Sequence, residues 1–149
     1  MKLRGYIVAL LVACSSVPLA IAADEQYAPR LGDIMSAVQL RHVKLWVAGR
    51  SRNWELAAYE LRQIKAGLGE AALLYSGIPV TNVTTMGAPL QSIADAIEAK
   101  DSRRFAKAVG ELTDGCNACH QSMERGFIVM RVPTDQPFAN QVFPPQGKQ

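Results

Sequence analysis

From Leu31 onward, Leu31, Ile34, Met35, Val38, His42, Leu45 and Trp46 recur at steps of three and four, the repeat of one helix face. Gly49 is the predicted stop of this helix. Asn53 is a good N-cap for a second helix, whose stripe runs Trp54, Ala57, Ala58, Leu61, Ile64, Leu68, Ala72 and Tyr75, with Gly67 and Gly69 as weak points inside it. It ends before Gly77 and Pro79. Between Gly77 and Gly87 the composition turns β-like (Val80, Thr81, Val83, Thr84, Thr85), but one such run is too short and isolated for a sheet and reads as a crossing loop. A shorter third helix is predicted from Pro89 to Lys100, with Leu90, Ile93, Ala94 and Ile97 facing inward and proline in its first turn. Asp101 or Ser102 caps a fourth, whose stripe is Phe105, Ala108, Val109, Leu112, Cys116, Cys119, His120 and Met123, closed at Gly126. Four single-stripe helices with short connections bury their faces most simply as an all-α, antiparallel four-helix bundle.

The two ends of the chain break this pattern. Met1-Lys2-Leu3-Arg4 is short and basic, Tyr6 to Ala13 is almost unbroken apolar sequence, and Ala20-Ile21-Ala22 is the small-x-small pattern of a cleavage site. Residues 1–22 therefore read as a signal peptide, interrupted by Ser15, Ser16 and Pro18 before reaching the ~20 apolar residues that span a bilayer. Leu11-Val12-Ala13-Cys14 also resembles a lipobox, and lipidation at Cys14 is the one route by which a membrane enters as a partner. After Gly126, Phe127-Ile128-Val129-Met130 is apolar, and Pro133, Pro137, Pro144 and Pro145 forbid a continuing helix. The division expected is thus a signal peptide (1–22), a helical domain (23–126) and an irregular Pro-rich C-terminal extension (127–149). Phe127, Phe138 and Phe143 would bury that extension against helix ends or a cofactor edge.

Composition adds constraints rather than a class of activity. With 149 residues the chain fits one domain, and 49% hydrophobic against 19% charged residues exclude a disordered chain. Lys2 and Arg4 account for most of the basic excess, so the chain without residues 1–22 is close to neutral. No basic run exceeds Arg103-Arg104, and no nucleic-acid partner is expected.

Beyond Cys14, the cysteines are Cys116 and Cys119, in Cys116-Asn117-Ala118-Cys119-His120. This is C-x-x-C-H, the attachment sequence for c-type haem. On a helix, Cys116 and His120 are one turn apart with Cys119 beside them. Each thiol can add across one porphyrin vinyl group, its sulfur bonding to one vinyl carbon and its proton passing to the other, which brings the following imidazole under the iron. A thioredoxin-type pair would stand at a helix N-terminus after a strand. Structural zinc would need four ligands, and only His42 is left to join the three motif residues. A disulfide between i and i+3 would disturb the helix.

A signal peptide, a helical chain of bundle size and C-x-x-C-H on the last helix resemble the cytochrome c-prime family and its low-spin relatives, over about Leu31 to Gly126. The resemblance implies one covalent haem c, held by Cys116 and Cys119, with His120 as fifth iron ligand. It also implies a residue early in the first helix facing the opposite side of the haem, which by position is Met35. A methionine there marks the low-spin branch, and an apolar residue the open, high-spin one. His42 is a third candidate for the sixth position. It shares Met35's face but lies about 10.5 Å along the helix axis, so the two cannot serve one iron. With Arg41, Lys44 and Arg50 nearby, His42 could instead meet a haem propionate. The stretch from Gln121 to Gln149 exceeds the usual ending of that family, and His42-Val43-Lys44-Leu45-Trp46 with Asn53-Trp54 lies outside its pattern, as in a divergent branch.

The function this implies is periplasmic one-electron transfer by a monohaem cytochrome whose partners are other redox proteins. The alternative is a five-coordinate haem that binds nitric oxide or carbon monoxide. No convincing distal acid–base pair is legible, since Arg41 and His42 diverge on a helix, so no enzymatic activity is expected. Many members of the family pair through exposed helix faces, which extends the expectation to a homodimer.

Overall fold

A computed structural model describes residues 28–146. The signal sequence, Cys14 and the cleavage site at Ala22 lie outside the described residues. Within them the chain is all-helical, with α1 (Leu31–Arg50), α2 (Trp54–Leu74), α3 (Val80–Thr85), α4 (Gly87–Glu98) and α5 (Ser102–Ser122), and no strand. None of these helices is long and apolar enough to cross a membrane.

The two tight connections use one device. After α1, Arg52 takes the left-handed conformation (φ 58°), its N–H donates to Gly49 O, and the Asn53 N–H donates to Ala48 O. After α4, Lys100 (φ 51°) does the same, with bonds from Lys100 N to Ile97 O and Asp101 N to Ala96 O. This is the Schellman arrangement, which satisfies the last carbonyls of a helix. The residue that completes each motif then caps the next helix. Asn53 Oδ1 accepts from Leu56 N at 3.1 Å, and Asp101 Oδ1 accepts from Arg103 N at 2.9 Å and Arg104 N at 3.0 Å.

Gly49 therefore does not stop α1, which runs on to Arg50. Its missing side chain serves packing, because a Cβ there would overlap the ring of Phe105. Phe105 is 1% exposed, stacked at 6.4 Å on Trp46 and edge-on at 5.9 Å to Trp54, which locks α1, α2 and α5 together at this end. Further along, His42 on α1 meets Thr113 on α5, and Val38 on α1 meets Gly67 on α2.

The stretch read as a crossing loop contains α3, a six-residue helix after the extended Pro79. Its β-branched residues disfavour helix only weakly, and two of them tie back to the turn through hydroxyls, Thr84 Oγ1 to Thr81 O and Thr85 Oγ1 to Asn82 O. Met86, 3% exposed, anchors its end in the core. The third predicted helix begins two residues early, at Gly87, and ends at Glu98. Helix α5 stops at Ser122, a turn before Gly126. A third Schellman arrangement closes it, with Glu124 (φ 58°) as the left-handed residue and bonds from Glu124 N to Gln121 O and from Arg125 N to His120 O.

Beyond α5 the chain turns back along that helix and reaches the far end of the bundle, where Gln146 N donates to Arg52 O and its side-chain amide to Glu55 Oε1 at 2.8 Å. Phe143 packs against the core and Phe138, 5.8 Å from it, lies under the ammonium of Lys44. Phe127 does not bury: it is 79% exposed, with Val129 at 75%.

Candidate functional site

Cys116, Cys119 and His120 project from the last turns of α5, all half-buried. Among the described residues neither thiol forms a disulfide. Burial pushes the Cys116 thiol up to about 11, with the neighbouring Cys119 adding to the shift. Burial also raises Cys119, against a hydrogen bond from the Asn82 side chain that lowers it. Redox-active cysteine pairs need a thiol shifted the other way, toward thiolate at neutral pH. The protonated pair here is unlike a thioredoxin site, in agreement with its position inside a helix.

The imidazole of His120 has a definite partner. Its Nδ1 lies 2.8 Å from the main-chain carbonyl of Ile128. A carbonyl only accepts, so Nδ1 carries the hydrogen and the lone pair of the neutral ring is on Nε2. That is the tautomer of a histidine ligating through Nε2, oriented by a carbonyl behind it. Around the motif, Asn82 on α3 donates to Ser122 Oγ at 2.8 Å and Ser122 Oγ donates to Cys119 O. Gly115 lacks the Cβ that would sit 2.7 Å from the sulfur of Met86.

His42 has the opposite arrangement. It is 2% exposed, and its Nε2 lies 2.9 Å from Thr113 Oγ1. The Thr113 hydroxyl gives its one hydrogen to Val109 O, so it accepts from His42 Nε2–H. Nδ1 is left bare and buried, without a hydrogen-bond partner among the described residues. Desolvation lowers the pKa of this ring and keeps it neutral. The groups beside it in sequence turn elsewhere: Arg41 reaches Glu60 Oε2 at 3.2 Å, Lys44 faces Phe138 and Arg50 lies over Trp46. Arg41 and His42 therefore do not converge on one substrate position.

Met35 is half-buried against the core, as are Leu31, Leu68, Tyr75, Ile78 and Cys116. Among the described residues no three His, Cys, Asp or Glu side chains gather where they could hold a metal ion by themselves. Two surface cavities lie away from the motif. One, of about 850 Å³, is lined by Arg52, Trp54, Lys100, Asp101, Arg103 and Arg104, and the other borders Trp46, Arg50 and Phe143.

No protein-family model, curated protein or solved structure matches this chain.

The sequence carried the three motif residues and not their supports. Asn117 is visible only as an unspecified position inside C-x-x-C-H, while Ile128 acts through its main chain, which no side-chain pattern can signal. Glu60, 1% exposed beside the α2 stripe, was also hidden, since a glutamate ordinarily marks the solvent face of a helix.

Proposed function

We propose that this protein is an exported, periplasmic monohaem c-type cytochrome, built as an antiparallel four-helix bundle, that passes one electron at a time between redox-protein partners. The observation that carries the reading is the hydrogen bond from His120 Nδ1 to Ile128 O, which puts the lone pair on Nε2 in the histidine of a C-x-x-C-H sequence. Cys116 and Cys119 would hold the haem covalently, and His120 would ligate its iron. When bound, haem c supplies one-electron exchange at iron.

This chain's own residues do the rest. The carbonyl of Ile128 holds the ring of His120, which would make Nε2 a better electron donor and favour the oxidised state of a bound haem. Leu31, Met35, Leu68, Tyr75 and Ile78 are half-buried against the core, and apolar side chains of this kind would keep water from a macrocycle. Contacts between α1 and α5 join Gly49 with Phe105 and His42 with Thr113, as neighbours running in opposite directions would. Carried seven residues further on each helix, that register would set Met35 opposite His120. That supports Met35 as the ligand opposite His120, and the engagement of His42 with Thr113 speaks against the histidine.

The reduced protein, made with haem-attachment machinery, tests this by its absorption spectrum before and after carbon monoxide is added. The expected result is a c-type spectrum that carbon monoxide leaves unchanged in the wild type and shifts in Met35→Ala. A shift already in the wild type would mean an open iron and favour the gas-binding alternative, and a chain that takes up no haem would overturn both.

A further inference from the structure

Resting on the haem reading above, we propose that Asn117 is a positioning residue for the axial imidazole, and that the chain from Phe127 to Met130 is thereby part of the cofactor site. Asn117 and His120 are three residues apart on α5, neighbours on one surface. The returning chain meets both. Asn117 Oδ1 accepts from Met130 N at 2.7 Å, and its Nδ2 donates to Met130 O at 3.0 Å, so one side chain grips both polar groups of one main-chain residue. Two residues earlier, the carbonyl of Ile128 accepts from His120 Nδ1.

Among the described residues little else holds this segment in place. Phe127, Ile128 and Val129 are 79%, 43% and 75% exposed, so apolar burial does not fix its main chain. At its start, Ile128 N donates to Arg125 O at 2.8 Å, after the left-handed turn at Glu124. Between that turn and Met130 the Ile128 carbonyl could swing away from the ring, and the Asn117 clamp stops it. Only a primary amide matches a peptide's donor and acceptor together. Aspartate keeps the bond from Met130 N and loses the one to Met130 O; leucine loses both.

The orientation bears on redox behaviour because an Nδ1–H that donates strongly makes the ring more basic at Nε2 and favours oxidised iron. Releasing the carbonyl should therefore raise the reduction potential.

Two measurements on the full-length chain test this with Asn117→Asp and Asn117→Leu. In the haem-free, ¹⁵N-labelled protein, the ring nitrogens of His120 should report Nδ1–H in the wild type and drift toward the mixed tautomers of a free imidazole in Asn117→Leu, with Asn117→Asp between. In the haem-loaded protein, Asn117→Leu should shift the Fe(III)/Fe(II) ratio at a fixed poise toward the reduced form by about tenfold, roughly 59 mV for a one-electron couple, and Asn117→Asp by less. If both variants load haem and keep the wild-type tautomer and potential, the role of Asn117 is overturned while the haem reading stands. If the wild type loads no haem, the proposal falls with that reading, and the tautomer shift still shows whether the clamp exists. Should Asn117→Leu fail to fold, Asn117→Asp decides by the same two readouts.

Discussion

The buried histidine on α1 makes the stability of the protein depend on pH in a calculable way. Folding takes His42 out of water, with Nε2–H given to Thr113 and Nδ1 left bare, and burial lowers its pKa below the ordinary 6.5. Between that ordinary value and the lower native one, the unfolded chain binds a proton that the folded chain refuses. Stability must then fall as the pH drops through about 6.5, keep falling until the native pKa is reached, and fall no further on this account. The slope cannot exceed about 1.4 kcal/mol per pH unit, so the loss between pH 6.5 and pH 5 is at most about 2 kcal/mol. Urea unfolding at pH 7.5 and pH 5.0, in wild type and His42→Gln, isolates the contribution, because the carboxylates are common to both. The wild type should lose more stability on acidification than the variant. Equal losses would refute the neutral, buried state assigned to His42 and reopen its candidacy as an iron ligand. Thr113→Val supplies an independent reading, since it strands the Nε2–H as well and should cost about 1–3 kcal/mol at pH 7.5.

Two further perturbations test the packing that supports the site. Gly49→Ala improves helix propensity by about 1 kcal/mol, yet the added methyl meets a Phe105 ring held between two tryptophans, and overpacking of this kind costs about 1–3 kcal/mol or more. Thermal unfolding should therefore show net destabilisation, partly relieved in Gly49→Ala/Phe105→Leu; a stabilised single variant would refute the contact. Glu60, whose side chain is 2% exposed, is paired with Arg41 at 3.2 Å. Arg41→Met should cost about 3 kcal/mol by leaving that carboxylate alone, and Arg41→Met/Glu60→Leu should recover most of it in urea titrations.

The long helices were legible because their burial repeats at 3.6 residues, and that repeat survives in Ile34, Val38, Leu45, Leu61, Ile64, Phe105, Val109 and Leu112, all buried as the stripes require. C-x-x-C-H was legible too, since it puts three side chains together by local geometry alone. Helix ends were less so. The pattern pointed to Gly49 and Gly126, whereas Arg52, Lys100 and Glu124 take the left-handed turns, because closing carbonyl bonds and a following cap outweigh the modest backbone cost of a non-glycine residue there. Helix α3 was hidden by β-branched residues whose weak local preference yields to packing around Met86.

The sequence by itself determined the four longer helices, their apolar faces and the spacing of Cys116, Cys119 and His120, since each depends on residues within a few turns of one another. Tertiary structure alone decided which nitrogen of each histidine bears the proton. His120 and His42 are the same side chain on similar helices, and they differ because one meets a carbonyl from a returning tail and the other a threonine hydroxyl whose hydrogen is already spent. Those partners lie 8 and 71 positions away in the chain, and only folding brings them within a hydrogen bond.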